Sequence, residues 1–186
     1  MALSTKKIQP AESRFHQLLQ EQVKNEFNAS QQYVAVAVWF DENDLPQLAR
    51  HFYRQALEER NHAMMIVQYL MDNDVKPQIP AVDEVRNDFG ETRELVALAL
   101  EQEREVTQEI MTLAKTARDE GDYLGEQFLQ WFLKEQVEEV SQMSTLLAVV
   151  DRAQGNLFDV ENFLARESVG DEGNDATAPS TAGGSV

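Results

Sequence analysis

The chain of 186 residues contains no cysteine. That excludes disulfides, thiolate zinc sites and Cys-ligated iron–sulfur clusters, so any bound metal must be held by Asp, Glu, His, Gln or Tyr. Basic residues are scarce: 16 Lys and Arg stand against 33 Asp and Glu, a net charge of −17. A field of that sign repels phosphate, which makes nucleic acid and anionic membranes poor partners, and it attracts cations. No apolar run approaches the ~20 residues of a membrane span. The two lysines near the N-terminus are not followed by the apolar stretch of an export signal. A cytoplasmic protein with no nucleic-acid or membrane partner is expected. Prolines number five and glycines eight, and the first glycine is Gly90. Little interrupts long helices.

The apolar spacing is helical through most of the chain. It predicts a first helix from about Glu12 to Phe40 and a second from Leu45 to about Met71, with Asp41, Asn43 or Asp44 capping the second. The short connection makes these two antiparallel neighbours. Asn73 to Gly90 carries two prolines and no helical period, and a crossover running the length of a bundle accounts for a loop that long. A third helix is predicted from Thr92 to about Asp119 and a fourth from Tyr123 to Ala153, closed by Gly155. Leu157 to Ala165 reads as a short fifth helix. The expected organisation is an N-terminal extension over 1–11, a four-helix bundle with a short C-terminal helix over 12–166, and a flexible tail over 167–186. The tail is rich in Gly, Ser, Ala and Thr.

Each long helix carries glutamate in its apolar stripe. Glu26 lies seven residues after Leu19, Glu59 seven after Phe52, Glu103 seven after Val96 and Glu139 seven after Phe132. Seven residues are two turns, so each carboxylate falls on the buried line. One such glutamate has an ordinary explanation at a bundle edge. Four uncompensated ones cost several kcal/mol each, comparable to the whole ~5–15 kcal/mol stability of a domain. Protons or bound cations must offset that cost, and two divalent cations neutralise four carboxylates. His62 completes a Glu-x-x-His pair with Glu59, both on one helix face. The fourth helix has Gln136 and Glu139 in the equivalent phase. Carboxylate and imidazole ligands suit iron or manganese and also accept zinc. Tyr33, seven residues after Glu26, falls on the same inward line. It reads equally as a core tyrosine or as a group that bonds a ligand or donates an electron. His16 and His51 have no comparable company and read as surface or structural. Met64, Met65, Met111 and Met143 read as core filler.

Asn25-Glu26-Phe27, Glu58-Glu59-Arg60-Asn61-His62-Ala63, mid-helix Glu103 and Glu135-Gln136-Val137-Glu138-Glu139 together resemble a bacterial non-haem ferritin, of the actinobacterial type with an extended tail. The resemblance covers about Phe15 to Arg166. It implies an all-α, ferritin-like fold and a hollow homo-oligomer of twenty-four subunits. Such a shell oxidises iron(II) with O2 or H2O2 at a centre inside each subunit and stores a ferric oxyhydroxide mineral. Carried over, Glu26, Glu59 and His62 would hold one iron, and Glu59, Glu103 and Glu139 the second, with Glu59 bridging. Gln136 and Tyr33 would sit beside the pair. A third, weaker iron site would use Glu58, Glu135, Glu138 and Glu139.

The departures from related families are informative. Bacterioferritins carry two Glu-x-x-His pairs and a haem-ligating methionine. Here Arg60 follows Glu59, and Glu139 stands where they have histidine, so no haem is expected. Animal ferritins line their three-fold pores with two acidic residues, which align here with Glu126 and Leu129, only one of them acidic. Two other readings compete with iron storage. One is a di-iron oxygenase or peroxidase, which needs a substrate pocket and a reductase. The other is a helical scaffold whose inward glutamates pair with Lys or Arg, though the inward stripes offer no basic residue in matching phase.

Overall fold

The helices are set by how they stop. The first two end in the same way. Asn43 and Asn73 fold their side chains back onto Trp39 O and Tyr69 O at 2.7 and 2.8 Å. Asp44 and Asp74 then take left-handed backbone, φ 57° and 58°, which Asp tolerates better than most residues. The following N–H groups, of Leu45 and Val75, return to Phe40 O and Leu70 O. Asn43 and Asp44 therefore close the first helix and do not cap the second, which corrects the expectation above. The computed structural model describes residues 13–167 and 175–185. It contains α1 Arg14–Glu42, α2 Pro46–Asp72, α3 Thr92–Glu120, α4 Tyr123–Ala153 and α5 Leu157–Arg166, with no strand among the described residues.

α2 begins with Pro46 at its first turn and no side-chain cap of its own. Its free N–H groups at Gln47 and Leu48 donate instead to the carboxylate of Glu161 on α5, at 2.9 and 3.0 Å. The start of α1 is treated alike: Arg14 and Phe15 donate to Glu120, the last residue of α3. A carboxylate at a helix N-terminus both fills orphan donors and complements the helix dipole. The Glu120 contact also fixes direction, because it joins the start of α1 to the end of α3. α1 packs antiparallel to α2, and α3 to α4, through short turns. At the end of α4 the left-handed turn is Gln154 followed by Gly155, φ 47° and 89°, not Gly155 alone.

The connection from α2 to α3 runs the length of the bundle along α1. Three amide side chains of α1 hold it. Gln20 accepts from Gln78 N and donates to Lys76 O. Asn28 accepts from Asp83 N. Gln32, buried, accepts from Arg86 N and donates to Arg86 O, both at 2.9 Å. Gln20 and Gln32 each behave as one missing residue of a β-ladder, and Asn28 takes one backbone N–H, so these backbone groups of an irregular segment are satisfied without secondary structure.

The apolar core is divided in two. Val36, Phe40, Phe52, Leu95, Met143 and Leu146 belong to one cluster; Phe15, Leu19, Ile66, Leu70, Ile110 and Phe132 belong to the other. Burial of each such side chain contributes about 1.5–3 kcal/mol. Met65 and Met143 are core, but Met111 is exposed, contrary to expectation. In the second cluster Gly125 lets α4 meet Phe15, since a Cβ there would lie 2.3 Å from the ring.

The tail composition gives no reason to pack, yet residues 175–185 lie against α2 and α4. The Trp131 indole donates to Asp175 at 3.0 Å, Lys134 pairs with Asp175, and Ala182 N donates to Met64 O. Ala178 and Ala182 are small enough to sit on the second cluster. The expected extension over 1–11 lies outside the described residues, as does the tail over 168–174.

Gln32→Ala leaves the Arg86 amide without its acceptor. The expected loss is about 1 kcal/mol, read as roughly fivefold faster hydrogen exchange at Arg86 N–H, with helix amides unaffected.

Candidate metal centre

Between the two apolar clusters lies a polar layer. Glu26 from α1, Glu59 and His62 from α2, Glu103 from α3, and Gln136 and Glu139 from α4 are each at most 4 % exposed. Heptad spacing put them on the inward faces, and antiparallel pairing brings the mid-points of all four helices to one level. The buried residues include no Lys or Arg among the described residues, so the scaffold reading has no ion pairs to rest on.

One group is tight. Glu26, Glu59 and His62 each offer a ligand atom within 4.8 Å of the others. His62 Nδ1 lies 3.3 Å from Glu59 Oε2, and its ring is held edge-on by Trp131 and Phe132. Gln22 donates to Glu26 at 2.9 Å. The charge of Glu103 acts on Glu59, and the charges of Glu103 and Glu59 both act on Glu139. Tyr33, fully buried, donates its hydroxyl to Glu103. Gln136 hydrogen-bonds Glu103 through its side chain and accepts from Thr107 at 2.9 Å. Thr107 was not singled out in the sequence, because a threonine beside an apolar stripe has no distinguishing signal.

The carboxyl groups bear the mark of their confinement. Burial, then the charge of Glu59, drives the pKa of Glu26 well above the usual range. Burial, then Glu103, does the same to Glu59 and to Glu139. Burial also raises Glu103, while the Tyr33 hydroxyl opposes the rise. One oxygen each of Glu26, Glu103 and Glu139 has no hydrogen-bond partner. Orphaned buried acceptors in one layer, with one imidazole and no buried lysine or arginine among the described residues, form a donor set for a hard or borderline metal ion.

The remaining expected ligands divide. Glu58 and Glu135 both raise the pKa of Glu139, so they border the centre. Glu58 is itself lifted to about 7 by burial, against the opposing charges of His62 and Arg54. Glu138 stands apart: it is exposed and pairs with Lys134 at 3.7 Å. Leu129 is fully buried and cannot line a pore in the way its alignment suggested, and Glu126 is held by Arg118.

A carboxyl group whose pKa is raised on folding adds stability below its unfolded pKa, near 4.5 for Glu26, and that stability is lost as pH rises through the folded value. Metal has the opposite dependence, because it binds the deprotonated form. Protonated Glu26 donates to Glu59, and a glutamine amide can do the same. Metal-free Glu26→Gln is therefore expected to unfold at least ~2–4 °C above the parent at about pH 8. It should also gain much less than the parent from added zinc; calorimetry with and without metal checks both.

A model of the ferritin-like domain matches residues 16–153. Ferritin BfrB of Mycolicibacterium smegmatis is 61% identical over 175 residues, covering 94% of this chain and 96% of that protein. Ferritin BfrB of Mycobacterium tuberculosis is 64% identical over 155 residues, covering 83% and 86%. The fold matches an open-pore ferritin of Archaeoglobus fulgidus with a TM-score of 0.80 at 23% identity, over 83% of this chain and 96% of that one. With a bundle of four long helices, a short fifth and a buried carboxylate layer at its centre, the chain belongs to the bacterial ferritins.

Proposed function

We propose that this chain is the subunit of an iron-storage shell and that its buried layer is a ferroxidase centre. The observation that carries the reading is the meeting of Glu26, Glu59 and His62 with ligand atoms within 4.8 Å of one another, with partnerless oxygens of Glu103 and Glu139 close by and no buried lysine or arginine among the described residues. Iron is the substrate. In this reading Glu26, Glu59 and His62 hold one iron(II), and Glu59, Glu103 and Glu139 the other, with Glu59 shared. Each ion gives up one electron; two electrons and two protons convert O2 to H2O2, or H2O2 to water. Tyr33 and Gln136 steady the carboxylates, and Glu58, Glu135 and Glu139, with Glu138 at the margin, receive a third iron. The protein works in the cytoplasm and carries no haem. None of its described helices is long and apolar enough to cross a membrane.

Glu59→Ala removes a ligand of both ions and His62→Ala removes the lone nitrogen. Each should slow the fast phase of aerobic iron(II) oxidation at least tenfold, followed by absorbance of the ferric product. Unchanged kinetics in both would overturn the assignment. Storage also requires assembly. Size-exclusion chromatography should return a particle near twenty-four subunits of 21.2 kDa each, and a monomer or dimer would exclude a shell.

A further inference from the structure

Within a chain of net charge −17, one described recess gathers the other sign. Where α5 meets the first turns of α2, a pocket of about 310 Å³ is lined by Gln47, Arg50, His51, Arg54, Arg166 and Glu167 among others. Three guanidinium groups stand there against one carboxylate. Neither Arg50 nor Arg166 has an ion-pair partner among the described residues. His51 is the buried member, only 5 % exposed, and its Nε2 has no hydrogen-bond partner. A buried imidazole nitrogen without a partner costs about 1–3 kcal/mol unless something occupies it.

We propose that this pocket binds a tetrahedral phosphate oxyanion, either inorganic phosphate or the phosphate of a small phosphomonoester. Arg50, Arg54 and Arg166 would supply the charge, and His51, which lines the pocket, would turn its partnerless Nε2 toward the anion to donate a hydrogen bond. Guanidinium forks match phosphate oxygens in pairs, whereas an acidic macromolecule needs a wider surface than this recess offers. Burial, then the charge of Arg54, lowers the His51 pKa to about 4. The ring is therefore neutral near pH 7 and, in the Nε2–H tautomer, a donor to the anion. Arg54 also acts on Glu58, one turn further along α2. One guanidinium thus borders both the anion pocket and the carboxylate layer, while none of the pocket residues belongs to the metal centre. The general field of the protein repels phosphate, so binding here is local recognition and not long-range attraction.

The test is equilibrium dialysis of the assembled, iron-free protein against radiolabelled inorganic phosphate and, separately, glycerol phosphate, near pH 7. Saturable binding of one anion per chain is expected. Arg50→Ala and Arg166→Ala, both at exposed positions, should each weaken it at least about tenfold. His51→Phe should weaken it as well, and Glu167→Gln should strengthen it. Arg93→Ala, which removes an exposed arginine that pairs with Asp151 and does not line the pocket, should leave it unchanged. Tenfold tighter binding of glycerol phosphate identifies a phosphorylated small molecule as occupant; equal or tighter binding of inorganic phosphate identifies the free anion. Absence of saturable binding to the assembled protein, including the case in which a neighbouring copy fills the pocket, overturns the proposal. So does equal weakening by Arg93→Ala, or indifference to both pocket arginines.

Discussion

Carboxylates withdrawn from water without a basic partner must take up protons or metal, and most of this bundle is arranged around that demand. Four helices bring one glutamate each to a single level. The layer contributes no apolar burial, so the clusters on either side must supply the stability that it forfeits. Phe40 stacked on Phe52 does so on one side, and Tyr69 stacked on Phe128 on the other. The neutral donors Gln22, Tyr33 and Gln136 partly satisfy the carboxyl groups without cancelling their charge. A lysine in the same place would have supplied the missing countercharge. The layer is thus held short of completion.

In the proposed centre the two metal positions would be chemically unequal. His62 would give the first a nitrogen ligand, and it lies against Trp131, whose indole also anchors the tail through Asp175. The second would have carboxylates alone, with Gln136 beside it. Mixed imidazole and carboxylate ligation differs from all-oxygen ligation in its preference among divalent ions. The asymmetry was readable in the sequence as Glu-x-x-His on one helix and Gln-x-x-Glu on another. Its consequence for geometry, a tight triad on one side only, was not.

What the sequence disclosed follows from periodicity. Helix bounds fell within two residues of those found, because Asn-Asp and Glu-Gly interruptions coincide with breaks in the apolar stripe. The inward glutamates were legible because they violate a period that everything around them obeys. Features that depend on distant partners were not legible. Gln20, Asn28 and Gln32 look like ordinary solvated helix surface until the crossover lies against them. Glu161 and Glu120 look like two acidic residues among 33, although each caps a helix remote in sequence. Composition could not reveal docking of residues 175–185, since alanine packs wherever a shallow surface receives it. His51 was passed over for a similar reason: its environment is assembled from α2 and α5.

The amides that hold the crossover sit on both sides of Glu26 along α1, at Gln20, Asn28 and Gln32. A helix that slid by one turn would carry Glu26 about 5.4 Å along the bundle axis, out of reach of Glu59 and His62. Sliding past a smooth apolar neighbour is opposed only by side-chain packing. Sliding past a strap fastened at three heights also breaks hydrogen bonds at each. The longest irregular segment among the described residues therefore serves as a ruler: it sets the height at which α1 presents its carboxylate to the other three helices.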